Sequence, residues 1–398
     1  AAVNINRSFF DRIAGTATVQ FNINSAINAG VADVSFVFKQ DRAAAIRDFI
    51  YTRAFRSSSQ QDRDEEHQSL VHFSAGQVLA HCYLSQPTWS LVWGLFWLGF
   101  SVLSVIYGST GGVITGLFLL AVQEIVPQIS MFMRFYNFRA YRDGQTIVIQ
   151  NGLIQTYRTE FDINKINTVR LRQPMLARYV HRTCLEAEVV GINGSNQDTT
   201  PTLCLLMPEA AAYALMKQLI PEFVTDLPAQ HEPEAAKKTM FIHAALADVL
   251  ILAVCAYPVW LMTGLAPVAW LDAGWMPWIR YTPLVFMVFG LCYTFFIAWR
   301  SYCLLRVSFG EDRMTMYRGR MDREWVIVPY DRIQLTCLSG SLVARHYGLC
   351  HLTVSILSTV GGKAIKSGLF REEVLAKVPE IVQARISDGR YDPHITGI

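Results

Sequence analysis

The sequence predicts a multi-domain membrane protein in which α-helical transmembrane hairpins alternate with small β-barrel or β-sandwich domains in the cytoplasm, each closed by a C-terminal helix. Three observations predict this fold class: a long internal repeat, paired apolar stretches between the repeated segments, and basic residues at the ends of those stretches. The composition agrees, because 52% of the 398 residues are hydrophobic and 17% are charged. Such values lie between those of a soluble globule and an all-membrane protein.

The internal repeat is marked by three arginines at the same place in similar segments. Arg12 and Arg178 are 166 residues apart (178 − 12), and Arg178 and Arg345 are 167 apart (345 − 178). Two apolar residues stand two and three positions before each arginine, and a β-like run follows it. Self-similarity at fixed spacing sets the architecture before any local prediction. We expect each arginine to pair with a carboxylate or carbonyl of its own domain; binding of an anionic lipid or partner is the alternative.

Four apolar stretches predict two transmembrane hairpins. Each contains at most one full charge and is close to the ~20 residues needed to cross ~30 Å of hydrocarbon. The tight turn 108–111 joins the first pair, and a longer loop rich in Trp, Pro and Gly joins the second. The predicted spans are Leu91–Tyr107, Gly112–Met133, Met240–Met262 and Trp278–Trp299.

Charge placement predicts the orientation of these hairpins. Basic residues flank the ends of the spans that face the repeats, whereas the 108–111 turn has no charge and the longer loop has only Asp272 and Arg280. The positive-inside rule then puts the repeats in the cytoplasm and both hairpin tips outside. The basic residues expected at the membrane surface are Arg134, Arg139, Lys237, Lys238 and Arg300.

Ionisable side chains inside the spans are candidate functional groups, since a charge at the bilayer centre costs roughly 2.5 to 3.5 kcal/mol or more. Glu124 and Asp248 are such groups, with three possible roles: helix or partner pairing, a solvated headgroup position, or conduction or catalysis. His243 is a third intramembrane polar candidate, but five positions from Asp248 it does not closely share a helix face. Gly112 and Gly116 are candidates for close helix packing.

Local patterns in the second repeat predict antiparallel strands followed by a helix. Phe135–Arg142 alternates like a strand, and Asn151-Gly152 is typical of a two-residue hairpin turn. Pro208 favours a helix over Glu209–Ile220. In the third repeat we expect a helix over Phe370–Arg385 that Pro379 kinks. Residues Ser69–Trp89 are expected at the membrane interface.

The predicted domains follow from this repeat. Residues 1–56 would be the C-terminal part of a first domain whose start lies upstream of Ala1. The remaining units are a polar linker and juxtamembrane segment (57–87), hairpin 1 (88–133), a second domain (134–226), a linker (227–239), hairpin 2 (240–300), a third domain (301–387) and a tail (388–398).

The repeated segments resemble a known family, the second class of bacterial pleckstrin-homology (PH) domains in its membrane-embedded, multi-domain form. The segments that carry the resemblance are RFYNFRAYRDG (134–144), NGLIQTYRTEFDINKINTVRLRQPMLARYVHRTCLEAEV (151–189), CLLMPEAAAYALMKQLIPEF (204–223) and, in the third repeat, YRGRMDREWVIVPYDRIQL and SLVARHYGLCHLTV. The resemblance implies PH-like domains that self-associate, no established enzymatic activity, and the bacterial inner membrane as location. It also suggests a shorter single-domain relative as a partner.

Catalytic motifs are missing from the sequence. It contains no nucleophile elbow, P-loop, HExxH motif or metal-ligand cluster, so we predict no enzyme, cofactor or metal. The net charge of +3 is too small and dispersed to favour nucleic acid, and eight cysteines without CxxC spacing favour reduced thiols. We therefore expect a membrane scaffold that contacts lipid, another membrane protein or further copies of itself. A transporter or lipid-handling protein that uses the intramembrane carboxylates is the alternative.

Overall fold

A computed structural model describes residues 2–7, 16–22, 34–39, 42, 45, 46, 49, 71–106, 108, 110–189, 201–225, 230–231, 234–262, 282–358 and 361–389. Arg12, residues 57–70, residues 263–281 within the predicted hairpin 2, and the tail from 390 onward lie outside these residues.

The described strands form three antiparallel sheets. The first sheet has the order β3-β2-β1-β7-β6-β5-β4, the second β10-β9-β8-β14-β13-β12-β11 and the third β15-β16-β17. The strands are β1 Ala2–Arg7, β2 Thr16–Asn22, β3 Val34–Lys39, β4 Val71–His72, β5 Arg139–Asp143, β6 Thr146–Asn151, β7 Thr156–Asp162, β8 Ile166–Gln173, β9 Arg182–Val189, β10 Thr202–Pro208, β11 Gln230–His231, β12 Arg306–Phe309, β13 Arg313–Gly319, β14 Arg323–Pro329, β15 Ile333–Ser339, β16 Leu349–Ser358 and β17 Gly361–Arg371.

The described helices form the apolar hairpins, follow the last strand of a domain, or lie as shorter helices next to individual strands. They are α1 Ala75–Leu84, α2 Thr88–Ile106, α3 Thr110–Leu120, α4 Val126–Phe135, α5 Met175–Tyr179, α6 Glu209–Leu219, α7 Glu234–Met262, α8 Thr282–Leu304, α9 Leu342–His346, α10 Glu372–Leu375 and α11 Lys377–Ser387. A π-helical turn, Ala121–Ile125, connects α3 to α4.

The second domain is a sandwich whose core lies between the β5-β6-β7 half of one sheet and the β8-β9-β10 half of the next. Ile147, Phe161 and Leu185 are fully or nearly buried in this core, and Met216 and Leu219 of α6 pack into it. The third domain repeats this plan with β12-β13-β14, β15-β16-β17 and α11. Each domain therefore contributes one half of its strands to each of two sheets.

Three of the four predicted spans are long and apolar enough to cross a membrane by length and composition: Thr110–Phe135, Glu234–Trp260 and Met287–Leu304. The first predicted span corresponds to α2, whose apolar part Ser90–Ile106 is shorter. Helices α2 and α3 form one antiparallel pair, and α7 and α8 form the other.

The entry into the second domain differs from the prediction. Phe135 ends helix α4 instead of starting a strand, since its ring is buried in the domain core, and Asn137 at φ 52° then turns the chain toward β5. The Asn151-Gly152 turn is a four-residue loop. The N–H groups of Gly152 and Leu153 donate to the carbonyls of Tyr136 and Met133 at 2.8 Å each. These bonds to the end of α4 explain why the loop is longer than a two-residue turn.

Residues 71–86 pack onto the second domain, and their expected position at the membrane interface stays a prediction. Strand β4 extends the first sheet beside β5. Helix α1 begins at a capping box formed by Ser74 and Gln77. Its side chains Val78 and Cys82 are buried in the second domain's core. Part of the apolar side chains of this segment are thus core residues, whereas Leu79 and Tyr83 on the same helix are exposed.

The C-terminal helix of the third domain starts later than predicted. Strand β17 continues through Phe370 to Arg371, and two helices follow, separated at Ala376. Pro379 lies in the first turn of α11, where its missing N–H has no intrahelical partner to lose. The interruption at Ala376 lies within one turn before Pro379, where a proline ring would clash with the carbonyl four residues earlier, so it falls where the predicted proline kink is expected.

Candidate functional site

The seam between the second and third domains is formed by the pairing of β8 with β14. The register places Leu171 opposite Trp325 and Val169 opposite Ile327. Trp325 and Ile327 are buried in the second domain's core, whereas Val326 and Val328 on the other face of β14 are buried in the third domain's core. One strand thus belongs to two cores, and this fixes the two domains to each other.

An acidic side chain in the β13–β14 turn connects three parts of the chain. Asp322 Oδ1 accepts hydrogen bonds from the backbone N–H of Met175 at 3.1 Å and from Thr88 Oγ1 at 3.3 Å. Its other oxygen lies 3.7 Å from Arg172 Nη2. A carboxylate at the N-terminus of α5 also meets the positive end of that short helix. Asp322 therefore joins the start of hairpin 1 to both domains.

A charged cluster covers the β8–β9 face of this seam. Arg170 lies 3.4 Å from Glu188 and 4.0 Å from Glu186, and Arg172 lies 3.9 Å from Glu186. Burial raises the pKa of Glu186, against the lowering effect of the two arginines. Burial lowers the pKa of Arg172, but neighbouring anions outweigh it and the net pKa is raised. The cluster pairs two arginines with two glutamates and so has no excess of one sign.

Hairpin 1 holds Glu124 in polar contacts of its own. Gln86 Nε2 donates to Glu124 Oε2 at 3.0 Å, and Ser90 Oγ donates to Oε1 at 3.1 Å. A side chain at Gly94 would meet the carboxylate at 2.9 Å, so this glycine leaves room for it. Glu124 lies in the π-helical turn just before Pro127, whose ring clashes with the carbonyl four residues earlier and widens the helix.

Hairpin 2 buries Asp248 between its two helices. Asp248 is 6% exposed and accepts a hydrogen bond from Thr294 Oγ1 on α8. Its second oxygen has no hydrogen-bond partner among the described residues. The partner of His243 is Ser341, whose Oγ at the start of α9 lies 3.0 Å from His243 Nε2. Glu124 and Asp248 therefore occupy separate hairpins.

A cavity of about 610 Å³ lies where the hairpins meet the third domain. Thr88, Tyr293 and Ser301 line it from the helices, and Arg320 and Lys366 line it from the domain. Glu124 and Asp248 do not line this cavity. Among the described residues no group of three or more His, Cys, Asp or Glu side chains could hold a metal ion.

Comparison with known families explains the repeat of hairpin and sandwich. A family model described as bacterial PH domain matches the chain twice, over residues 93–220 and 241–386. The chain belongs to the bacterial PH domain family. Each match begins inside a hairpin and ends in the C-terminal helix of the following PH domain. Comparison with curated proteins and with solved structures gave no match.

The helix-packing candidates occupy one hairpin of this bacterial PH protein. A side chain at Gly116 would lie 2.2 Å from Ser101 Oγ and 3.1 Å from the Phe100 ring, so α2 and α3 approach closely there. Gly112 is half-buried on the same helix. Gly108 turns the chain at φ 66° between the two helices.

The repeated arginines lie beside the short helices that follow β8 and β15. Arg178 is half-buried in α5, and Arg345 is exposed in α9. Neither forms an ion pair with a carboxylate among the described residues, and Arg12 lies outside them. The expected pairing within each PH domain is therefore not seen at the two described arginines, and their structural role stays a prediction.

The predicted membrane-surface cations lie at the junctions between hairpins and PH domains. Arg134 stacks 5.5 Å from the Phe135 ring, and Lys237 Nζ lies 6.0 Å from the Tyr302 ring. Arg139 and Lys238 are exposed, and Arg300 is half-buried. Their contact with an anionic leaflet stays a prediction.

Sequence reasoning missed two residues that organise the second PH domain. His81 is 3% exposed, and its Nδ1 accepts a hydrogen bond from the Leu206 backbone N–H at 3.1 Å. Burial, with Arg172 nearby, lowers the pKa of His81 to about 4. Asp322 was missed because an acid in a hairpin turn is usually solvated. Only the long-range pairing of β14 with β8 gives it its partners.

Proposed function

We propose that this bacterial PH protein is a non-enzymatic membrane scaffold or accessory subunit whose repeated cytoplasmic domains mediate oligomerisation and bind partner proteins at the inner membrane. The observation that carries the proposal is the pairing of strands across domain boundaries, β1 with β7 and β8 with β14. Sheet edges that accept a neighbouring strand are docking lines for proteins in general. Bacterial PH domains are typically interaction modules, which agrees with this role.

The membrane arrangement proposed for the scaffold is four spans in two hairpins, with all PH domains in the cytoplasm. Basic residues at the domain-facing ends of the helices support this orientation. A reporter enzyme that is active only outside the cytoplasm tests it when inserted within 263–281 and, as the matched control, after residue 389. Activity at the first site alone supports the proposal. Activity at the second site would contradict it.

Glu124 and Asp248 are proposed to pair the helices of their own hairpins. Their hydrogen-bond partners support this, since Glu124 is held by Gln86 and Ser90 while Asp248 is held by Thr294. A transporter would bring both carboxylates to one cavity. If the protein is a scaffold, neutral isosteric side chains at positions 124 and 248 should keep most of these contacts and leave the sheet edges that bind partners unchanged.

The experiment compares the wild-type chain with the Glu124→Gln, Asp248→Asn double variant. Both are extracted from their own membranes in a mild detergent, and the co-purifying proteins are identified and quantified by mass spectrometry. We expect the same partners in the same ratio. Loss of the partners from a double variant that still inserts and folds would overturn the scaffold proposal in favour of a site that requires the charges.

A further inference from the structure

The two boundaries between successive PH domains use the same strands in the same register. At the first boundary Ile5 pairs with Arg158 and Arg7 with Thr156. At the second, Leu171 pairs with Trp325. Ile5 stands 166 positions before Leu171, and Arg158 stands 167 positions before Trp325, which are the two repeat spacings of the arginines. The boundary is thus a repeated interface and not an accident of one pair of domains.

Strand β15 is the third copy of the edge that accepts a strand at each boundary. Strand β8 has a register shift against β9 between Ile166 and Thr168, and β15 has one against β16 between Ile333 and Leu335. These positions are again 167 residues apart. Each strand is followed by a five-residue helix, α5 or α9. The two edges are built alike.

The β15 edge is open where the β8 edge is covered. Within the described residues β15 pairs with β16 on one side and with no strand on the other. Leu335 is 61% exposed, whereas its counterpart Thr168 is fully buried. Leu342, in the place that Met175 holds beside Asp322, is 86% exposed. The sequence of β15, IQLTCLS, contains no charge and no proline, the usual devices that protect a free sheet edge.

The first half-sheet of a PH domain is its first group of three paired strands, β5-β6-β7 in the second domain and β12-β13-β14 in the third. The strand that covers such an edge is the third strand of the first half-sheet of the next PH domain. Among the described residues those strands are β7 and β14, and they already pair with β1 and β8. The same holds for the described strands of a second copy. An occupant of β15 that keeps this pairing brings a strand of this type other than β7 and β14. Because Cys337 and Ser339 replace Arg170 and Arg172, the edge selects an apolar and uncharged surface instead of a charged one.

We propose that the β15 edge docks the third strand of the first half-sheet of another bacterial PH domain, carried by a separate polypeptide. The pairing is antiparallel and keeps the register of the two internal boundaries, so Leu338 takes the place of Leu171. This inference rests on the proposed scaffold function and names the edge and the kind of partner. The apolar side chains Leu335 and Leu342 contact the partner on either side of the paired strands.

The test places the photo-crosslinker p-benzoylphenylalanine at Leu335 or Leu342 of the intact chain in its own membranes. Ile386, 54% exposed on α11 of the same domain, is the matched control position. After irradiation, mass spectrometry identifies the crosslinked protein and the crosslinked residue. We expect adducts from Leu335 and Leu342, absent at Ile386, to map to the third or second strand of a bacterial PH domain in another polypeptide.

Three outcomes would overturn the proposal: adducts to β15 of a second copy, adducts to a protein without a PH domain, or no adduct from Leu335 and Leu342 while a partner still co-purifies with the chain. In the last case the scaffold function stands and only the docking edge is wrong. If no partner co-purifies and no adduct forms, both proposals fail together.

Discussion

The buried His81 makes the stability of the second PH domain depend on pH in a calculable way. Its imidazole is neutral in the folded state, because burial and nearby Arg172 lower its pKa from 6.5 to about 4. Between these values the unfolded chain binds a proton that the folded chain does not. Stability is therefore full above pH 6.5 and falls as the pH drops from 6.5 towards 4.

The magnitude follows from the two pKa values. One pKa unit corresponds to 1.36 kcal/mol, so at pH 4.5 the folded state loses about 2.5 kcal/mol relative to neutral pH through this side chain. The substitution His81→Asn keeps an oxygen that can accept the Leu206 N–H and removes the titration. We expect the variant to lack this loss, although its stability at neutral pH falls by about 1 kcal/mol through poorer packing and hydrogen bonding.

The assay is urea unfolding of the detergent-solubilised chain between pH 4.5 and 7.5, followed by tryptophan fluorescence, since Trp325 is buried in this domain's core. His72 is exposed in β4. The control variant His72→Asn should therefore keep the wild-type pH dependence. If the free energy of unfolding depends on pH in the same way in the wild type and in His81→Asn, the reasoning is refuted.

Three further predictions concern packing, the seam and the thiols. Gly116→Ala should destabilise the chain in detergent by about 1 to 3 kcal/mol through overpacking and so lower its melting temperature. Gly99→Ala, with open space around the substituted position, should not lower it. Equal melting temperatures of the two variants would contradict the close approach of α2 and α3. Asp322→Ala should expose the seam to protease, at a cost of about 1 to 3 kcal/mol for the donors left unpaired; an unchanged digestion pattern would contradict the role of this turn. In the purified chain a maleimide should label exposed Cys337 well before Cys204, whose pKa burial raises; the reverse order would show that β10 is not buried.

The resemblance of the repeated segments was enough to predict the family, and the repeat with its apolar stretches predicted β domains that alternate with apolar helix pairs. The ends of elements at the membrane boundary were not predicted correctly. Phe135 and the α1 segment carry apolar side chains whose destination, lipid or domain core, depends on tertiary packing. A local pattern cannot distinguish these two environments.

The sharing of sheets between successive PH domains also escaped prediction, because β8 and β14 pair across some 150 residues of chain. One signal was present. The run Trp325–Val328 in β14 is apolar without alternation, which is typical of a strand buried on both faces. In a single sandwich one of those faces would have met solvent. The two cores on either side of β14 account for it.

The central claim is that this bacterial PH protein works by binding other proteins at the membrane, and the native mass of the complex extracted from its own membranes tests it most directly. The account predicts a defined complex of fixed ratio that contains a second polypeptide with a PH domain. A chain that emerges only as a monomer or homo-oligomer carrying lipid would contradict it.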